Sequence, residues 1–97
     1  MPEQILATVV DADGRRVDLF EGRWAHIVDG HPELAPYQNE VVETVRTPSR
    51  RKPGHELGEE WFYREGVGPS RWLKVVVRYE TSDRAWIVTA FARRAMP

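Results

Sequence analysis

Four polar side chains break into apolar runs of the sequence: His26, Arg64, Lys74 and Thr89. An imidazole such as His26 can act as a general acid or base, although a helical surface position explains it as well. Lys74 and Arg78 alternate with Trp72 and Val76 along one strand face, so two cations beside an indole could hold a phosphate backbone and stack a base. Solvation of the same face is the plainer structural reading. Thr89 is a good strand former whose hydroxyl could also position a phosphate. Arg50, Arg51 and Lys52 form a basic cluster in a Pro/Gly-rich stretch, either a solubilising patch or a cationic loop able to gather an RNA strand. His31, beside Pro32, falls where a helix ends, and capping or a backbone hydrogen bond accounts for it on spacing alone.

Other chemistries are disfavoured. The chain has no cysteine, which excludes thiolate metal cages, disulfides and a Cys nucleophile, and suits a reducing cytoplasm. Its 3 His residues, His26, His31 and His55, do not form an HExxH pattern, and no GxxxxGK loop is present. No metal and no cofactor is therefore expected. With 14 Lys and Arg against 15 Asp and Glu there is no global basic field, so a nucleic-acid site has to be local. Met1 to Val10 lacks a signal-peptide pattern and no apolar run approaches membrane-spanning length, so neither secretion nor a membrane partner is expected.

The elements that would position these groups follow from periodicity. Ile5 to Val10 and Arg15 to Phe20 read as strands around the turn Asp11-Ala12-Asp13-Gly14, an N-terminal extended hairpin. Trp24, Ile27, Val28 and His31 then mark one helical face, with Asp29-Gly30 as its stop signal. Pro32 opens a second helix carrying Leu34, Tyr37, Val41, Val42 and Val45, which ends before Pro48. Residues 47–58 read as a surface loop. Glu60 to Arg64, Arg71 to Tyr79 and Ala85 to Arg93 follow as an antiparallel meander. The fold class is α+β, one domain over residues 1–97, with two short helices packed on a mainly antiparallel sheet in the order β-β-α-α-β-β-β. The face bearing Trp72, Lys74 and Arg78 is expected to be the open one, with Trp72 and Trp86 exposed on it. The chain is expected to fold alone or as a small homo-oligomer.

Arg23-Trp24-Ala25-His26-Ile27 leading into His31-Pro32-Glu33-Leu34, then Trp61-Phe62-Tyr63-Arg64, then Trp72 to Val77 and Ile87-Val88-Thr89-Ala90-Phe91 keep one order. This pattern resembles the phage-associated barnase/EndoU/colicin/RelE-like nucleases over about residues 17 to 94. The resemblance implies a helical segment against a four-stranded antiparallel sheet. It also implies metal-independent RNA cleavage, with the ribose 2′-OH attacking the adjacent phosphate. On this mapping His26 is the acid or base, Arg64 and Lys74 clamp phosphate and Thr89 positions it. Tyr63 and Arg93 assist, and His31 is a further catalytic candidate. The implied setting is a cytoplasmic toxin or phage-borne effector, restrained by an acidic antitoxin or immunity protein. The rival expectation is a catalytically inactive module of the same fold that binds protein or RNA.

Overall fold

In the computed structural model, which describes residues 3–95, the hairpin, helices and meander all form. The outermost residues of the expected 1–97 domain lie outside that range. Strands β1 (Ile5–Val10) and β2 (Arg16–Phe20) pair antiparallel, and Gly14 takes φ 83° in the turn between them, where a side chain would be strained. Helix α1 (Glu21–Gly30) follows without a break and buries Ile27.

Proline rewrites the next segment. Helix α1 ends because His31 precedes Pro32 and is driven out of the helical region, to φ −138° and ψ 71°, rather than through a left-handed glycine at position 30. Pro32 to Tyr37, expected as the start of the second helix, is a 3-10 turn containing Pro36, which can donate no backbone hydrogen bond. Helix α2 therefore spans Gln38–Arg46 only and buries Val41, Thr44 and Val45.

The stretch read as a surface loop holds a strand that charge conceals. Strand β3 (Arg50–Pro53) pairs antiparallel with β4 (Glu59–Glu65), and β5 (Trp72–Tyr79) and β6 (Ala85–Arg93) complete the meander. The element order is thus β-β-α-α-β-β-β-β, with the short 3-10 turn between the helices. As an edge strand, β3 is held from one side only, and its long side chains lie on aromatic neighbours: Arg51 Cζ is 4.7 Å from the centre of the Phe62 ring.

The six-stranded sheet has the order β1-β2-β6-β5-β4-β3. Every pairing is antiparallel except β2 with β6, a parallel contact at Asp18 and Trp86. One face carries Val17, Leu19, Phe62, Leu73, Val75, Val77 and Ile87, all fully buried, and packs with Ile27, Leu34, Val41 and Val45 of the helical segment. At the rim of this core the fully buried Asp11 carboxylate accepts hydrogen bonds from Tyr79 Oη at 2.6 Å and from the backbone N–H groups of Asp13 and Arg15, each at 2.9 Å. Arg51 adds an ion pair to Asp11 at 3.4 Å, one to Asp13 at 3.0 Å and one to Glu60 at 2.6 Å. This bracket ties the β1–β2 turn to β3, at the far end of the strand order. Burial pushes the Asp11 carboxyl up, but the bonds from Tyr79, Arg15 and Asp13 and the Arg51 charge outweigh it and hold the group below its ordinary value.

Candidate functional site

Alternation along the strands decides which side chains meet on the sheet face away from the helices. Strand β5 directs Trp72, Lys74, Val76 and Arg78 there, because Leu73, Val75, Val77 and Tyr79 belong to the core. Across from them β4 places Trp61 opposite Val76 and Tyr63 opposite Lys74. On the other side β6 places Thr89, Phe91 and Arg93 opposite Val76, Lys74 and Trp72. The register shifts between Val76 and Val77, leaving Val88 as an extra residue in β6. That bulge keeps Trp86, opposite Arg78, on the same face as Thr89.

Lys74 is the centre of this face and only 7% exposed. Its Nζ lies 3.6 Å from the centre of the Trp61 ring, 5.5 Å from that of Tyr63 and 5.4 Å from that of Phe91. Among the described residues it makes neither a hydrogen bond nor an ion pair. Burial, reinforced by the charges of Arg93 and Lys52 and partly opposed by Glu59, lowers the Lys74 pKa from its ordinary value. Tyr63 is fully buried, and its Oη has no hydrogen-bond partner among the described residues. Burial raises the Tyr63 pKa, with Arg93 pulling the other way, so the phenol remains a hydrogen-bond donor at neutral pH.

Phe91 gathers the remaining groups. His31 stacks on its ring with centroids 5.7 Å apart, Arg93 Cζ lies 6.0 Å from its centre, and Lys74 reaches it from the third side. His31 can do this because α1 ends early and Pro32 turns the chain beside β6. The His31 backbone N–H donates to Ile27 O at 2.8 Å, leaving a half-exposed imidazole whose Nδ1 lies 3.7 Å from a Glu33 carboxylate oxygen. An imidazole, an ammonium and a guanidinium thus surround one ring, with the Thr89 hydroxyl one pleat along β6.

The structure brings together His31, Lys74, Thr89, Tyr63 and Arg93 from among the residues singled out in the sequence. Arg64 is not among them: it pairs with Leu73 and therefore points to the helix side of the sheet, which corrects its expected place as a clamp beside Lys74. His26 lies exposed on α1, one turn after Arg23 on the same flank. Trp72 shares the face of Lys74 but is 8% exposed, so it offers little ring surface for stacking, contrary to expectation. The buried Tyr63 ring is likewise closed to a base. Arg78 is exposed on this face, and Trp86 is half-buried. Of the basic cluster, Arg50 and Lys52 stand opposite Tyr63 and Trp61, whereas Arg51 faces the core side and is engaged by Asp11, Asp13 and Glu60. Its carboxylate partners remove Arg51 from the cationic group expected to gather RNA.

Sequence reasoning missed Trp61 and Phe91 as partners of the cation. Their period-two spacing with Tyr63 and with Thr89 and Arg93 was the signal available. No group of His, Cys, Asp and Glu suited to a metal ion occurs among the described residues. No helix among them is long and apolar enough to cross a membrane. No family model, no curated protein and no solved structure matches the chain.

Proposed function

We propose that this chain is a metal-independent endoribonuclease that cleaves RNA by attack of a ribose 2′-OH on the adjacent phosphate. The observation carrying this reading is the grouping of His31, Lys74 and Arg93 around Phe91, each within 6.0 Å of that ring. Such a reaction needs a base for the 2′-OH, an acid for the departing 5′-oxygen and positive charge beside the phosphorane. His31, with Glu33 near its Nδ1, takes the 2′-OH proton. Lys74, whose lowered pKa makes it a better proton donor than an ordinary lysine, protonates the 5′-oxygen as its bond to phosphorus breaks. Arg93 faces the non-bridging oxygens and Thr89 fixes the phosphate. The products are a 2′,3′-cyclic phosphate and a 5′-hydroxyl, and proton exchange with water resets the two groups.

The resemblance to phage-associated barnase/EndoU/colicin/RelE-like nucleases supports the same reading. It adds a cytoplasmic setting and an acidic protein that covers the cationic face. The test is purified chain with end-labelled RNA and excess chelator. Cleavage is expected to persist in chelator, to fall at least about 100-fold in His31→Ala and Lys74→Met, and to stay unchanged in Arg64→Ala. Cleavage that ignores His31 and Lys74 discredits the site. One observation favours a catalytically silent binding module instead, namely that Arg64 faces away from Lys74. RNA bound but left intact by the unaltered chain would decide for that reading.

A further inference from the structure

The face described above does not end at Phe91. Parallel to β6, α1 runs from Arg23 near Trp86 to His31 at Phe91, so helix flank and strand together border one path. At its far end lies a groove of about 390 Å³ lined by Glu3, Phe20, Arg23, Arg84 and Trp86. The half-buried Trp86 indole shares the sheet face of Thr89 and stands opposite the exposed Arg78. Arg23 makes no ion pair among the described residues. Arg84 has only a contact at 4.0 Å with Glu80, at the limit of an ion pair and between two well-exposed side chains. An indole bordered by guanidinium groups is an arrangement that stacks a base and holds its phosphate, and the Asp18 carboxylate beside Trp86 is already engaged by the Thr8 hydroxyl at 2.8 Å and by Arg16 at 2.9 Å.

Resting on the ribonuclease reading, we infer that the Trp86 groove is a second subsite for the same single-stranded RNA, holding a nucleotide several positions from the one cleaved at Phe91. From Trp86 to Phe91 the strand advances about 15 Å, or about four steps at the stacked rise of about 3.4 Å per base. Glu3 supplies the one carboxylate in the lining, packed over the Gly22 Cα where a Cβ would collide with it. It opposes an incoming phosphate, so its removal is expected to favour binding.

The experiment measures fluorescence anisotropy of labelled oligouridylates of two, four, six and eight nucleotides carrying 2′-O-methyl groups, which block cleavage. The unaltered full chain is expected to show a step of at least about tenfold in affinity once the oligomer spans both ends. Trp86→Ala is expected to erase the step while leaving the affinity for the dinucleotide unchanged. Arg84→Ala, altering an exposed side chain that the fold does not need, is expected to reduce it, and Glu3→Gln to enlarge it. Affinity that rises smoothly with length in the unaltered chain, or a step that survives both Trp86→Ala and Arg84→Ala, overturns the subsite. A step in a chain that leaves cleavable RNA intact sustains the subsite and removes the nuclease reading, so the two fail separately.

Discussion

At Lys74 an ammonium group lies over the Trp61 ring, largely shielded from water and without a bonded carboxylate among the described residues. Because its folded pKa is lower than the 10.5 of the free group, the unfolded chain holds the proton more tightly. Stability attached to this residue therefore rises as pH climbs through the window between the folded value and 10.5. Lys74→Met keeps the stem over Trp61 and removes the charge, so thermal melts are expected to give a Tm equal to or above that of the unaltered chain at pH 7, with this alkaline gain absent. Loss of activity without loss of stability would separate a group kept for chemistry from one kept for packing. Asp11 has the opposite sign. Its folded pKa lies below 3.8, so its contribution is fully present above pH 3.8 and is lost as pH falls through the folded value. Asp11→Ala takes away the acceptor of the Tyr79 O–H, leaving that hydroxyl only the 3.4 Å bond it accepts from Arg51, and removes one Arg51 partner, so denaturant titration at pH 7 is expected to show a loss of about 3 kcal/mol. Strand parity groups Lys74 with Trp72 and Arg78, as the structure has it, but it groups Thr89 with the buried Ile87, because the extra residue Val88 that parts them leaves no mark in the sequence. His31 is named by the motif resemblance alone, since its approach to Phe91 depends on how the chain bends at Pro32.

Among the elements, the meander and hairpin were legible because apolar alternation and turn residues agree there. Strand β3 was not, since Arg-Arg-Lys-Pro has no apolar face and acquires its conformation from β4 beside it. The second helix was misplaced for a related reason: the spacing of Leu34 and Tyr37 suits an α-helix, but Pro36 removes a donor from it. The β3–β4 connection depends on Gly58, which has φ 79° and lies against the Tyr79 carbonyl, while its own carbonyl accepts from the Tyr79 N–H at 2.7 Å. Gly58→Ala meets both an unfavourable conformation and a collision with backbone. Its expected cost is about 2 kcal/mol, read as a lowered midpoint in urea with an unchanged m-value.

For the whole molecule the sheet divides into a local part and a remote part. Strands β3 to β6 join neighbours in sequence, whereas the β1–β2 hairpin meets the others through the Asp18–Trp86 contact, the core and the Asp11 bracket. Short connections close quickly and long ones slowly, so pulse-labelled hydrogen exchange during refolding is expected to protect β4–β6 amides before those of β1 and β2. Simultaneous protection of both groups would show that the hairpin belongs to the earliest structure.

Asp11 and Tyr79 are separated by 68 positions, and the bond between them cannot close until that much more polypeptide has been made. On the ribosome the hairpin emerges well before its permanent partners, with Val9, Val17 and Leu19 awaiting cover. For this segment the interval between birth and burial is set by the speed of translation, and it is the span in which a chaperone would have something to hold.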